Sequence, residues 1–248
     1  MSMNNKEYIF GRNPILEALR AKRPIEKIFI QHGAHGNNID QIKFLTKQNG
    51  IVCSEITLQR LKEISEGIET QGIAALLSAK SYVELEDVLE IAKQKGEKPF
   101  ILILDEIEDP QNLGAIIRTA ECSGVHGIIL PKHNSASLTS TVAKTSAGAI
   151  EHINIVKVTN VVSIIEELKK EGVWIVGTSD DASANYTEYD FNSPTAVIIG
   201  NEGKGIRKLV KKHCDVLLKI PIKGKITSLN ASVSAGIILY EVVRQRIV

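Results

Sequence analysis

The apolar positions fall into short runs separated by stretches of helical pattern. Residues 100–104 (Phe100, Ile101, Leu102, Ile103, Leu104) form a continuous apolar run, the mark of a strand buried on both faces. Similar runs occupy 127–130, 173–176 and 196–199. Between them, apolar residues recur at helical spacing over 113–122, 161–171 and 205–212, and then over 231–246. Strands alternating with helices predict a mostly parallel sheet covered on both faces across residues 99–248. The first part, 1–80, alternates on a smaller scale. Asn13 and Pro14 signal a helix start with proline at the first helical position, and that helix should run to about Ala21. Strands are expected at 25–30, 51–53 and 73–77, with helices near 39–48 and 58–64. This pattern predicts a small layered α/β domain. Residues 81–98 are charged, with Leu85, Val88, Leu89 and Ala92 at helical spacing, and read as a linker helix ending at Gly96.

Composition narrows the class. Hydrophobic residues make up 43% and aromatics only 4% of the 248 residues, so the cores must be built from Ile, Leu, Val and Ala. No apolar run approaches the roughly 18 residues that cross a bilayer, and residues 1–10 lack an apolar signal core. A cytoplasmic protein with no membrane partner is expected. Cys53, Cys122 and Cys214 are three in number and far apart. They suggest neither a disulfide frame nor a zinc ribbon, and no metal is expected. The formal net charge of +1 hides a basic stretch: Lys204, Arg207, Lys208, Lys211, Lys212, Lys219, Lys223 and Lys225, opposed only by Glu202 and Asp215. Such a stretch can neutralise phosphates or be a solvated surface.

Ligands of open parallel sheets sit at the carboxyl ends of strands, so the loops after the apolar runs carry the candidate chemistry. After Leu104 come Asp109, Pro110, Asn112, Gly114 and Arg118. Pro110 and Asn112 suit a helix start, and Arg118 stands one turn beyond Gly114 on the same side. After Ile199 come Gly200, Asn201, Glu202, Gly203, Lys204 and Gly205. Three glycines in six residues offer backbone amides, but in neither the dinucleotide-binding nor the Walker order. After Lys219 come Pro221 and Gly224, then Ser228, Leu229, Asn230 and Ser232 at the start of an apolar helix, where Ser or Asn would also serve simply as an N-cap.

Together the three loops resemble the SpoU (TrmH-like) RNA 2′-O-ribose methyltransferases of the SPOUT superfamily. Asn112, Gly114 and Arg118 match its N-x-G-x-x-x-R, Gly200, Asn201, Glu202 and Gly205 its G-N-E-x-x-G, and Ser228, Leu229, Asn230 and Ser232 its S-L-N-x-S. Residues 1–80 resemble the L30e-like substrate-binding domain of the subgroup acting on a guanosine of 23S rRNA. One position departs: where that subgroup carries His-Gln-Gly, this chain has Thr70, Gln71 and Gly72.

The resemblance implies S-adenosylmethionine as methyl donor, a homodimer, and a catalytic domain over 99–248 whose sheet is threaded into a deep trefoil knot. It implies that Thr178, Gly200, Ile220, Ser228 and Leu229 hold the donor. It also implies a catalytic set of Asn112, Arg118, Glu202, Ser228 and Asn230. The family assigns hydroxyl activation to the arginine matching Arg118. A guanidinium stays protonated at any working pH, so it suits a phosphate clamp and a hydrogen bond to the developing alkoxide better than proton abstraction. Asn112 and Asn230 would orient the ribose, and Glu202 and Ser228 would position the loops. Three alternatives share this sequence pattern: a tRNA 2′-O-methyltransferase, an antibiotic-resistance rRNA methyltransferase, and a non-catalytic RNA-binding assembly protein that keeps the fold.

Overall fold

A computed structural model describes residues 8–247. The chain forms two compact units: one ends at Ser81 and takes in Ser137–Ser140, and the other comprises Tyr82–Ala136 and the chain from Thr141 onward.

The first unit runs β1 (Tyr8–Phe10), α1 (Arg12–Arg20), β2 (Ile25–Gln31), α2 (Asn37–Gln48), β3 (Val52–Ile56), α3 (Leu58–Ser65) and β4 (Ile73–Leu77). Its sheet has the order β1-β4-β2-β3, with β2 and β3 parallel and the other pairs antiparallel. Ile15, Leu19, Ile28, Ile30, Ile39, Ile42 and Ile73 close its core between the sheet and α1 and α2. Pro14 is the third residue of α1 and not the first. Gly11, at φ 89°, makes the bend, and Arg12 N donates to Gln71 Oε1 at 3.1 Å. Proline is tolerated there because the first four helical N–H groups have no intrahelical acceptor.

The second unit continues with α4 (Leu85–Gln94), β5 (Phe100–Asp105), α5 (Pro110–Cys122), β6 (Gly127–Pro131), α6 (Ser140–Thr145), β7 (Asn154–Val158), α7 (Val161–Lys170), β8 (Trp174–Thr178), β9 (Ala184–Asn185), β10 (Thr195–Gly200), α8 (Lys208–Lys212), β11 (Val216–Lys219) and α9 (Ala231–Arg246). Its seven strands are all parallel, in the order β7-β6-β5-β10-β8-β11-β9. Parallel strands carry helices on both faces, and β5, β6 and β10 are accordingly apolar and buried along almost their whole length. The linker helix packs here as α4: Leu85 and Val88 join the core with Ile101, Ile129 and Ile165. The helix expected over 205–212 shrinks to Lys208–Lys212, because the residues before it form a closed turn. Strands β7 and β11, each mixing buried and half-buried positions, gave no continuous apolar run and went unread.

His126 is a core histidine. Its Nδ1 accepts from Phe100 N and its Nε2 donates to Glu97, both at 3.0 Å. Burial holds its pKa below the ordinary imidazole value, partly offset by Glu97.

The chain leaves β5 toward β6 on one side and leaves β10 toward β11 on the other. Adjacent strands whose connections diverge open a crevice beyond their carboxyl ends. The next residues, Glu106 after β5 and Asn201 after β10, therefore stand at the place where a ligand site is expected.

Candidate active site

Two clamps hold the 200–207 loop to the end of β5. Asn201 Nδ2 donates to the Glu106 carbonyl at 3.1 Å, while its Oδ1 accepts from Gly203 N at 2.9 Å and Lys204 N at 3.2 Å. Asn201 and Gly205 also exchange backbone hydrogen bonds, which closes the turn. At its far end, Arg207 donates from its backbone N and from Nε to Asp105, each at 2.8 Å, and its Nη2 lies 2.6 Å from the same carboxylate. Asp105 is 0% exposed. A buried carboxylate needs such pairing, and the pairing raises the pKa of Arg207. Gly200 is required by contact: a Cβ there would lie 2.3 Å from Gly205 C and Ile206 N.

So anchored, the loop presents Glu202 to α5. Asp109 caps that helix by accepting from Gln111 N at 2.9 Å, with Pro110 following. Gly114 lets α6 approach, since a Cβ there would meet Thr145 Cβ at 2.6 Å. Asn112 Nδ2 donates to Glu202 Oε1. Asn230 Nδ2 donates to Asn112 Oδ1 at 2.9 Å, and Asn230 Oδ1 accepts from Ser232 N and Oγ at 2.9 and 2.5 Å. Glu202, Asn112 and Asn230 thus form one hydrogen-bonded chain that joins three loops spread over more than a hundred residues of sequence. Because Glu202 can only accept when ionised, it fixes the orientation of the Asn112 amide, and Asn112 in turn fixes Asn230.

Other expected site residues stand apart from this chain. Arg118 is exposed on α5 and makes no hydrogen bond or ion pair among the described residues. Six residues beyond Asn112, it points about 120° away from it around the helix. Ser228 is exposed, and Ile220 and Leu229 are half-buried in the loop leading to α9. Thr178 ends β8 and donates from its hydroxyl to Ile198 O at 3.1 Å. Beside it, the missing Cβ of Gly177 leaves room for Cys214, whose thiol burial pushes up to about 11, so it stays protonated and inert at neutral pH. Thr70 accepts from Gly72 N at 3.3 Å and shapes the turn before β4. In the basic stretch, Lys211 is engaged with Asp181 at 2.6 Å, while Lys204, Lys208, Lys212, Lys223 and Lys225 are exposed.

Sequence reasoning missed the Asp105–Arg207 pair. Its signal was present: an acidic residue closing an otherwise apolar run is buried with the strand end and must find a cation. Among the described residues, no group of His, Cys, Asp and Glu side chains could hold a metal ion, and no helix is long and apolar enough to cross a membrane.

Residues 99–240 match the model of the SpoU rRNA methylase family, and residues 8–83 match that of the RNA 2′-O ribose methyltransferase substrate-binding domain. The chain is 45% identical over 240 residues to YacO of Bacillus subtilis, assigned to the TrmH family of tRNA/rRNA methyltransferases, covering 97% of this chain and 96% of that protein. An AdoMet-bound rRNA methyltransferase from Sinorhizobium meliloti aligns with a TM-score of 0.60 at 25% identity, over 96% of this chain and 86% of its own. A TrmH/SpoU tRNA-modifying enzyme from A. aeolicus aligns with a TM-score of 0.57 at 31% identity, over 64% of this chain and 84% of its own. With its three loops joined through Asn112 at the β5–β10 crevice, the chain belongs to the SpoU (TrmH) family of RNA methyltransferases.

Proposed function

We propose that the protein methylates a ribose 2′-hydroxyl of RNA, a guanosine of 23S rRNA, with S-adenosylmethionine as donor. The single observation that carries this reading is the Glu202–Asn112–Asn230 chain at the strand-end crevice. The surroundings suit the donor. Gly200 and Thr178 bring backbone to two adjacent strand ends, and Ile220 and Leu229 offer apolar surface. Apolar and backbone groups suit an adenosine, and a pocket poor in charge favours loss of the sulfonium charge in the transition state. When bound, the donor supplies an electrophilic methyl group on a positively charged sulfur.

The chain's own residues position the acceptor. Asn112 and Asn230 hold the ribose hydroxyls, Glu202 fixes both amides, and Ser228 orders the loop that covers the donor. Alignment of oxygen, carbon and sulfur is a large share of such catalysis. Arg118 clamps the neighbouring phosphate and hydrogen-bonds the developing alkoxide, and the proton leaves through that phosphate or through water. Since Arg118 lies about 120° around α5 from Asn112 and outside its hydrogen-bonded chain, it serves the partner's crevice in a homodimer. Support for a dimer comes from α9, which exposes Val233 and Tyr240, and from Ile247 just beyond it. The loops from β10 to α9 are proposed to be threaded as a trefoil knot, on the family likeness. Residues 1–80 serve as the RNA substrate-binding domain, 81–98 as the linker and 99–248 as the catalytic domain, in the cytoplasm.

The rRNA target is favoured over tRNA because the S. meliloti rRNA enzyme spans 96% of this chain and the A. aeolicus tRNA enzyme only 64%. Ribose-methylation mapping of 23S rRNA and tRNA from cells with and without the gene tests it. One guanosine of 23S rRNA should lose its methyl group in the deletion strain. Loss confined to tRNA would replace the target and keep the chemistry.

A further inference from the structure

A second cleft opens at the carboxyl ends of β6 and β7, adjoining Arg207 at the foot of the catalytic loop. It measures about 130 Å³, and its lining includes His133, Asn134, Asn160, Val161, Arg207 and Leu209. None of the residues assigned to catalysis or to the donor lines it.

The polar groups of this lining are mostly donors with capacity to spare. Arg207 commits Nε and Nη2 to Asp105, which fixes the guanidinium plane, and its Nη1 has no hydrogen-bond partner among the described residues. Asn160 uses its Oδ1 to cap α7, accepting from Val162 N and Ser163 N, so its NH₂ group remains available. Asn134, held at φ 54°, donates one N–H to Glu106 at 3.2 Å and keeps the other. The apolar part comprises Pro131, Val161, Val162, Val210 and Leu209, of which Leu209 is 60% exposed. Charge excludes one class of ligand. Asp105 and Glu106 lie 2.6 and 3.7 Å from the Arg207 guanidinium, so two carboxylates face one cation and a bare phosphate is not favoured. A flat, neutral group with acceptors on its edge fits better. An unpaired nucleobase has this chemistry: ring nitrogens and carbonyls at the edge, and faces that stack on a guanidinium or lie on apolar side chains.

We propose that this cleft takes an unpaired RNA base flanking the ribose to be methylated, and so contributes to the choice of target. The inference rests on the RNA-methyltransferase reading. Glu106 ties the two places together: its carbonyl anchors Asn201 of the catalytic loop, and its carboxylate holds Asn134 of the cleft. A base held here is therefore held at a fixed offset from Asn112 and Glu202.

The test uses the full chain, radiolabelled S-adenosylmethionine and total RNA from a strain lacking the gene. Two variants are compared with wild type: His133→Ala/Leu209→Ala and the single Leu209→Ala, whose exposed site leaves the fold intact. The KM for RNA should rise about 5- to 50-fold in the double variant, the loss of roughly one stacked base. The rise should be smaller in the single variant, with kcat and donor affinity unchanged. Once the methylated ribose is mapped, transcripts altered at each flanking nucleotide should weaken wild type at one position and the double variant no further. An unchanged KM, or equal losses for both proteins on every altered transcript, overturns the subsite. A flatter salt dependence in the variants would show a phosphate contact in its place and also overturns it. If wild type labels no RNA at all, the underlying reading falls, and the subsite with it.

Discussion

At the residue scale, the ion pair between Asp105 and Arg207 lies outside the motif residues, yet it holds the loop that bears Glu202. It converts a strand end into an anchor for the loop bearing Glu202. Removing the cation leaves the buried Asp105 carboxylate uncompensated; that costs about 3–5 kcal/mol where both partners are buried, and less here because the Arg207 side chain is 42% exposed. Arg207→Ala, which strands the fully buried Asp105, should therefore lower unfolding free energy by about 1–3 kcal/mol in urea titrations. It should also reduce methyl transfer, because Asn112 loses a fixed partner. A loss under about 1 kcal/mol would mean that Asp105 reaches water once Arg207 is gone. The motif residues Asn112, Glu202 and Asn230 were legible in the sequence through their match to the family motifs, and Asn112 and Glu202 also because each follows a continuous apolar run. Their mutual hydrogen bonds were not, since residues 112, 202 and 230 meet only once the strand order is known. Arg118 was legible as a residue but not as one facing away from its own cluster.

At the scale of elements, the buried strands β5, β6 and β10 were readable because both faces are apolar. The edge and short strands β1, β7, β9 and β11 were not, since half-buried faces break the run. The start of α1 was misplaced because Gly11, and not Pro14, sets the bend. His126 shows how one side chain joins elements, linking β6 to the start of β5 and to Glu97 after α4. Its folded-state pKa lies below the ordinary value of about 6.5, chiefly through burial. The unfolded chain then takes up the proton first as pH falls. Stability from this group is complete above about pH 6.5 and declines as pH drops through that value toward the lowered folded one. Melting temperatures measured from pH 8 to 5 should fall more steeply for wild type than for His126→Gln. Parallel curves would show that His126 does not contribute.

At the scale of the whole molecule, the proposed dimer gives Arg118 its role: it would act in the partner's crevice. Arg118→Lys keeps the charge but loses the planar fork, and Asn112→Ala breaks the positioning chain, so each variant alone should be nearly inactive. In mixed dimers of the two, a two-fold interface places both substitutions in one crevice and neither in the other. Random exchange of subunits should then restore about a quarter of wild-type activity. No recovery would place Arg118 and Asn112 in the same protomer's site. The parallel pairing of the second sheet was foreseeable from alternating elements, whereas its strand order was not, since local pattern does not say which strands become neighbours.

The central claim is methyl transfer to a ribose oxygen, and the position of the label tests it most directly. Alkaline cleavage of RNA needs a free 2′-hydroxyl, so a methylated ribose survives within a dinucleotide. Wild-type protein, radiolabelled S-adenosylmethionine and RNA from the deletion strain should place the label in alkali-resistant dinucleotides. Label recovered in mononucleotides would put the methyl group on a base and contradict the account.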